Sequence, residues 1–186
     1  PAYFQLRVNQ HYRDLVQGLS DSLDIHIYTG ANHLEMGPPR KTYNASFLFS
    51  PGQTRMERYD KRRLVPFGER TPFPDLLPGL RAIRFSGSGF VSANWDSGEL
   101  LTVFGLDDTR FSGMICYDSA FPQLSREFVR RGAELIAVIT NDGWFGKTSG
   151  PYQHAKLSVF RAIETRRSVV RCANTGVSAF IDPFGR

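Results

Sequence analysis

The feature that most constrains this fold is a run of five apolar residues, Leu-Ile-Ala-Val-Ile, at positions 135–139. Such a run is typical of a strand buried on both faces, as found in parallel sheets covered by helices. Neighbouring segments alternate in character, with strand patterns at 111–115, 168–173 and 177–181 and helix patterns at 122–131 and 152–167. The alternation predicts an α/β fold with a mixed sheet covered by helices.

The first half of the chain has a different pattern. Residues 3–23 repeat apolar side chains near the helical period, which predicts one long helix. Residues 25–29 and 43–49 are predicted strands, and 55–64 is predicted to return as a hairpin partner after a Pro-Gly turn. We expect this half to contribute further strands to the fold.

A long segment at about 66–98 breaks both patterns. It is rich in Pro and Gly and carries apolar side chains, among them Phe73, Leu76, Leu77 and Phe90. Loops of this length inside compact domains are often lids or binding surfaces. An irregular covering loop with a small core of its own is the alternative, and the composition leaves both open.

Composition excludes several classes of protein. The 186 residues are 41% hydrophobic and 22% charged, which suits one globular domain. The net charge of +5 is dispersed and comes with no zinc-finger or RNP-like motif, so no nucleic-acid partner is expected. No apolar run reaches the roughly 20 residues that cross a bilayer. Because the chain has no initiator Met and ends in a turn, we expect it to be part of a longer protein.

Cys116 is the first candidate for chemistry. It ends a predicted strand, and a predicted helix begins a few residues later. A strand–turn–helix connection can present a side chain above a sheet edge, and a helix N-terminus favours a thiolate. A buried structural cysteine is the alternative, and Cys172, inside a predicted strand, is interpreted in that way.

A lysine and a carboxylate form the second candidate. Lys61 precedes Leu-Val-Pro-Phe-Gly, a tight turn that ends in Glu69. The ammonium and the carboxylate are therefore expected to pair within a cleft, which would keep the ammonium charged and oriented. A solvated surface cation is the alternative for Lys61.

The segment Asn141-Asp142-Gly143-Trp144-Phe145-Gly146 follows the buried strand and precedes a helix. Loops at the carboxyl ends of sheet strands are where α/β proteins bind ligands. The alternative is a turn whose two aromatic rings fill the core. His154 is interpreted as a structural histidine, and no metal site is predicted because no ligand spacing supports one.

Six stretches in order resemble the nitrilase, or carbon-nitrogen hydrolase, superfamily, and within it the apolipoprotein N-acyltransferase family. They include Lys61-x-x-Leu-Val-Pro-Phe-Gly-Glu69, Ile-Cys116-Tyr117 and Asn141-Asp-Gly-Trp144-Phe145-Gly. Gly-Pro-x-Gln-His154, Arg-Ala-Ile-Glu164 and Asn-Thr-Gly-Val-Ser178 complete the series. The resemblance implies an αββα sandwich and a carbon-nitrogen hydrolase domain fragment over residues 1–186.

The resemblance also implies roles for individual residues. Cys116 corresponds to the nucleophile, Lys61 to the cation at the oxyanion, and Glu69 to a supporting glutamate. Tyr117, Asp118, Trp144 and Phe145 are expected to bind substrate, although Asp118 stands where the family carries glutamate. The general-base glutamate of the family would fall shortly before residue 1.

The implied reaction moves a fatty acyl chain from a phospholipid to Cys116 as a thioester. The N-terminal amine of a diacylglyceryl-cysteine apolipoprotein then accepts it. The resemblance implies no cofactor, and it implies a bacterial inner membrane location with this domain on the periplasmic side. Membrane contact would come through segments outside this chain. Independently of the resemblance, the apolar composition around Phe73, Leu76, Leu77 and Phe90 predicts that this segment meets the membrane or acyl chains.

Two other functions remain open from the sequence. The first is a soluble nitrilase-type amidase, which would use the same cysteine and lysine with water as the acceptor. The second is a catalytically inactive binding domain, favoured by the missing glutamate.

Overall fold

The computed structural model describes residues 2–5, 10–71 and 95–186, with side chains described from residue 10 onward. Most of the predicted loop, including Phe73, Leu76, Leu77 and Phe90, therefore lies outside the described residues. Among the described residues, no helix combines the length and apolar character needed to cross a bilayer.

The described chain forms nine strands and three α-helices. In chain order they are β1 (Ala2–Gln5), α1 (Gln10–Leu23), β2 (Ile27–Glu35), β3 (Lys41–Phe49), β4 (Glu57–Asp60), β5 (Val103–Leu106), β6 (Thr109–Ile115), α2 (Pro122–Arg130), β7 (Leu135–Thr140), α3 (Gly150–Thr165), β8 (Ser168–Ala173) and β9 (Ala179–Ile181). Short 3-10 helices follow β6 (Cys116–Ala120) and β7 (Gly143–Phe145).

The strands form two sheets. The first has the order β1-β2-β3-β4, and the second has the order β5-β6-β7-β8-β9. Strands β6, β7 and β8 are parallel neighbours, so their carboxyl ends meet at one edge of the second sheet. Chain segments that follow these strands are thereby brought together, which is where parallel sheets place ligand sites.

The sheets pack face to face between layers of helix. Leu48 and Tyr59 from the first sheet share a buried core with Phe104, Met114 and Ile136 from the second. The approach is close at Gly113, where a Cβ atom would collide with the Tyr28 hydroxyl. On the outer face of the first sheet, Val16 of α1 packs on a second core cluster that contains Ala31, Ala45, Phe47 and Phe49.

Helices α2 and α3 contact each other, and α3 lies on β8, which completes an αββα sandwich. The predicted fold class is confirmed. The apolar run at 135–139 becomes β7, whose alternate residues Ile136 and Val138 are fully buried within the sandwich.

Two predictions about local structure were wrong, and one strand was missed. The predicted helix at 3–23 begins only at Gln10, because Ala2–Gln5 is a strand that pairs in parallel with β2. Strand β5 was not predicted, since its four residues form a short edge strand interrupted by Gly105. Cys172 is exposed rather than buried, because strand alternation turns the preceding Arg171 inward and Cys172 outward.

Candidate active site

Cys116 lies at the carboxyl end of β6, at the first position of a 3-10 helix. Its backbone adopts φ +50°, a left-handed conformation that is strained for a residue with a side chain. The side chain is only 8% exposed. The predicted strand-to-helix connection is present and forms a sharp elbow, but the thiol that it carries is buried rather than exposed above the sheet edge.

Lys61 follows β4 and is fully buried. Its ammonium nitrogen, Nζ, donates to both Glu69 carboxylate oxygens, at 2.7 and 2.6 Å. The same carboxylate accepts from Asn44 Nδ2 at 3.1 Å and from the Val65 backbone N–H at 2.8 Å. The predicted pairing of Lys61 with Glu69 is confirmed as a buried, multiply bonded ion pair.

The local backbone explains how Glu69 reaches Lys61. Residues 65–70 form a tight turn in which the Glu69 N–H donates to the Val65 carbonyl at 2.8 Å and the Phe67 N–H donates to the Arg70 carbonyl at 2.9 Å. Phe67 adopts φ +61° within this turn. Such a compact turn returns the carboxylate to a lysine eight residues earlier without any long-range element.

Four charged or polar neighbours act on the Cys116 thiol. Burial is the largest effect and raises its pKa above the usual 9.0. The Lys61 ammonium and the Thr140 hydroxyl lower the pKa, whereas the Glu69 and Asp142 carboxylates raise it. Because the net shift is upward, the resting thiol is protonated at neutral pH and needs a base before it can attack.

Asp118 connects the segment that carries Lys61 to the segment that carries Cys116. It is fully buried, and its Oδ1 accepts from the Arg63 N–H at 2.8 Å. Its Oδ2 accepts from the Tyr59 hydroxyl at 3.0 Å and from the Ile115 N–H at 3.1 Å. Tyr59 and Arg63 flank Lys61, and Ile115 precedes Cys116, so one carboxylate fixes the lysine segment against the cysteine elbow.

Asp118 predicts a pH dependence of stability. Burial raises its pKa from 3.8 to about 6, against the opposing effect of Lys61 and three hydrogen-bond donors. Between these values the folded protein holds a proton that the unfolded chain has released, so this group's contribution to the free energy of unfolding falls as pH rises. In urea denaturation, the free energy of unfolding is expected to be about 2 to 3 kcal/mol lower at about pH 7.5 than at about pH 4.5. This difference is expected to be absent from the Asp118→Asn variant.

The matched control is Asp182→Asn. Backbone N–H donation from Arg186 lowers the pKa of Asp182, so this carboxyl is ionised in both the folded and the unfolded chain across this pH range, and its substitution is expected to leave the pH slope unchanged. Identical pH slopes for the Asp118→Asn variant and the unsubstituted protein would contradict the prediction.

Behind the cysteine elbow lies a second buried polar cluster. Asp142 Oδ1 lies 2.8 Å from His154 Nδ1, and Asp142 Oδ2 accepts from Arg171 at 2.8 Å. Thr140 also donates to Asp142 Oδ1 at 2.9 Å. His154 Nε2 lies 3.2 Å from the Cys116 carbonyl oxygen. The interpretation of His154 as a buried, hydrogen-bonded histidine is confirmed.

Cys116, Asp142 and His154 bring ligand atoms within 4.8 Å of one another, which is a spacing that a metal ion can use. Both carboxylate oxygens of Asp142 are already bonded to protein groups, and one of those groups is the Arg171 cation. An arginine at hydrogen-bonding distance opposes a divalent cation through charge repulsion. These three side chains therefore fit an internal network better than a metal centre.

Three exposed aromatic side chains lie in the turn that carries Glu69 or in the 140–146 segment. Phe67, Trp144 and Phe145 are 54%, 41% and 39% exposed. A Cβ atom at Gly68 would lie 3.5 Å from the Trp144 ring, so the 140–146 segment meets the 65–70 turn. Tyr117 is half-buried, with its ring packed edge-on against Phe121 at 5.1 Å.

Sequence reasoning missed Asn44 and Thr140. Asn44 holds Glu69 with its side chain, and its backbone carbonyl accepts from the Lys61 N–H at 2.8 Å. Thr140 joins the thiol to Asp142. The available signal was a polar residue in or at the end of an otherwise apolar strand, since burial requires such a group to find a partner.

Comparison with known proteins agrees with this arrangement. Two apolipoprotein N-acyltransferases, from Chlorobaculum tepidum and Geobacter metallireducens, are each 38% identical and align with the whole of this chain. The chain spans only 38% and 34% of the length of these relatives. The resemblance seen in the sequence is confirmed.

Solved structures agree at the level of the fold. Saccharomyces cerevisiae Nit3, a member of branch 10 of the nitrilase superfamily, superposes on 92% of this chain with a TM-score of 0.67 and 21% identity, and 57% of its own chain is covered. An amidase from Nesterenkonia sp. superposes on 95% with a TM-score of 0.65 and 21% identity, and 60% of its chain is covered.

The family assignment rests on the length of the match. Residues 6–186 match the carbon-nitrogen hydrolase family, which is nearly the whole chain. The sandwich fold and the buried Lys61–Glu69 pair beside the Cys116 elbow agree with that match. This chain therefore belongs to the carbon-nitrogen hydrolase family.

Proposed function

We propose that the protein carrying this domain is an apolipoprotein N-acyltransferase that works through a thioester on Cys116. The observation that carries the proposal is a buried ammonium, Lys61, which acts electrostatically on the Cys116 thiol while Glu69 holds it in place. A nucleophile beside a fixed cation is what acyl transfer requires. The 38% sequence identity to each of two apolipoprotein N-acyltransferases supports an acyl transfer of this kind.

The first step acylates the enzyme. The sulfur of Cys116 attacks the ester carbonyl of a phospholipid, the C–S bond forms, the ester C–O bond breaks, and the thiol proton passes to the departing lysophospholipid oxygen. The raised pKa of the thiol supports a mechanism with a general base, which the family resemblance assigns to a glutamate outside these 186 residues. Lys61 Nζ stabilises the oxyanion that forms during the attack.

The second step transfers the chain. The amine of a diacylglyceryl-cysteine apolipoprotein attacks the thioester, the C–N bond forms, the C–S bond breaks, and an amine proton returns to sulfur. A thioester suits this step because it stays activated toward an amine. Glu69 acts as an anchor for Lys61, and Asp118 fixes the spacing between the lysine and cysteine segments.

The exposed aromatic side chains support a lipid substrate. Trp144 borders the turn that carries Glu69, and both Trp144 and the adjacent Phe145 are exposed enough to contact an acyl chain. Tyr117 follows the nucleophile directly and would contact the substrate near the reacting carbon. We therefore propose that the protein acts at the bacterial inner membrane, with this domain on the periplasmic side, as the family resemblance implies.

The test separates an amine acceptor from water. The full-length protein is loaded with acyl chain from phospholipid, and the loss of the acyl mass is followed after adding a diacylglyceryl-cysteine peptide. The matched control is the same peptide with its N-terminus acetylated. We expect rapid discharge to an amide product with the free amine only.

Discharge at equal rates with either peptide, or with none, would contradict the proposal. That result would indicate a hydrolase with water as the acceptor, as in an amidase.

A further inference from the structure

The buried cluster of Asp142, His154 and Arg171 lies behind the cysteine elbow, and the two acyl-transfer steps above give it no role. Cys116 is held at φ +50°, and a left-handed residue with a side chain persists only where its surroundings fix it. The Cys116 carbonyl oxygen is fixed from two sides. Ser119 Oγ donates to it at 2.7 Å, and His154 Nε2 lies 3.2 Å from it.

The contacts of His154 determine which way its ring protons point. A carbonyl oxygen only accepts hydrogen bonds, so Nε2 is assigned as a donor to Cys116. Nδ1 lies 2.8 Å from the Asp142 carboxylate, which also only accepts, and 3.1 Å from Arg171 Nη2, which only donates. Nε2 also lies 3.2 Å from Ser119 Oγ. Both ring nitrogens are therefore engaged by protein groups, and neither is free to take the thiol proton.

The orientation of Asp142 is fixed in turn. It accepts from Arg171 at 2.8 Å and from Thr140 at 2.9 Å, and its N–H donates to the Thr175 carbonyl at 2.9 Å. Asp142, His154 and Arg171 are 1%, 7% and 2% exposed, so water competes little for these bonds. A rigid chain of contacts thus runs from the segments after β7 and β8 to the peptide plane of the nucleophile.

We infer that His154 is a positioning residue that aims the Cys116 sulfur by holding the Cys116 carbonyl, and that it is not the base that deprotonates the thiol. The inference rests on the proposed function, in which Cys116 is the nucleophile. A displacement of about 1 Å in a reacting atom lowers a rate by about 100-fold. Losing the bond to the carbonyl is therefore expected to slow acylation without weakening phospholipid binding.

The decisive comparison is between His154→Asn and His154→Gln in the full-length protein. The amide nitrogen of glutamine reaches about as far as Nε2 and can donate to the Cys116 carbonyl, whereas that of asparagine stops near the Nδ1 position. Neither amide can accept a proton from a thiol at neutral pH. Acyl-enzyme formation is followed by intact-protein mass spectrometry at varied phospholipid concentration.

We expect His154→Asn to lower kcat for acylation about 100-fold with KM nearly unchanged, and His154→Gln to recover to within about fivefold of the unsubstituted protein. The control is His33→Asn, because His33 is another fully buried histidine with a carboxylate partner, Asp60 at 3.2 Å, and both residues belong to the first sheet, whereas the elbow follows a strand of the second. Its loss is expected to lower thermal stability with little effect on acylation.

Two results would overturn the inference. One is a His154→Gln variant as inactive as His154→Asn, which would indicate a proton-transfer role. The other is a His154→Asn variant as active as the unsubstituted protein. If His154→Asn does not fold, Ser119→Ala takes its place, because it removes the other donor to the same carbonyl. This variant is expected to lower kcat about tenfold. An unchanged kcat in Ser119→Ala would also overturn the inference. Failure of the proposed function is distinguishable, because the unsubstituted protein would then carry no acyl adduct on Cys116.

Discussion

Cys116→Ala in the full-length protein is expected to abolish the acyl adduct formed with phospholipid, as seen by intact-protein mass spectrometry. Alanine has no nucleophilic atom, and loss of the nucleophile removes the covalent step entirely. The expected loss exceeds that from any binding residue, since rates fall by about a millionfold when a nucleophile is removed. The fold is expected to survive, because the side chain is small and its backbone conformation is set by neighbouring contacts.

The chain provides its own control for this prediction. Cys172 is the other cysteine of the sequence and is exposed on β8. Cys172→Ser is expected to leave both the adduct and its rate of formation unchanged. An adduct that persists in Cys116→Ala, at Cys172 or at any other side chain, would remove Cys116 from the mechanism.

The parts of this site that sequence reasoning could predict are local. Lys61 and Glu69 are eight residues apart and joined by a turn, so their pairing follows from turn chemistry and charge. The placement of Cys116 follows from a strand pattern that ends where a helix pattern soon begins. The order of the motifs then identified the family, and the family resemblance implied the αββα arrangement. The strand and helix patterns alone do not determine that arrangement.

The parts that could not be predicted depend on long-range contacts. Asp118 was expected to bind substrate, and that assignment stays a prediction, yet its carboxylate makes three hydrogen bonds to protein groups. Two of those groups, Tyr59 and Arg63, lie 59 and 55 residues away. Nothing near Asp118 in the sequence indicates them, because sheet packing alone brings β4 beside β6.

The exposure of Cys172 shows a related limit. An alternating strand fixes which residues share a face, whereas only the covering layers fix which face is buried. Arg171 lies inward on β8 because Asp142, the Val177 carbonyl and Ser158 bond its guanidinium. A buried arginine with an exposed cysteine beside it reverses the order that hydrophobicity predicts.

Lys61→Met is expected to lower the rate of acyl-enzyme formation by about 100- to 1,000-fold, the range seen when an oxyanion-stabilising group is removed. It is also expected to lower the free energy of unfolding by about 3 to 5 kcal/mol, because Glu69 keeps a buried negative charge without its cation. The acylation rate is measured in single turnover, and stability is measured by urea denaturation of the same preparation.

A double variant, Lys61→Met with Glu69→Gln, separates these two effects. Removing both charges together leaves no uncompensated ion, so stability is expected to return to within about 1 to 2 kcal/mol of the unsubstituted protein. Asn44 Nδ2 and the Val65 N–H now bond different oxygens of Glu69, so the single amide oxygen of glutamine would keep one of these two bonds, which is why recovery is not expected to be complete. Acylation is expected to stay about 100- to 1,000-fold slow, because a stable fold still lacks a cation where the oxyanion forms. Recovery of acylation together with stability would show that Lys61 serves only the fold.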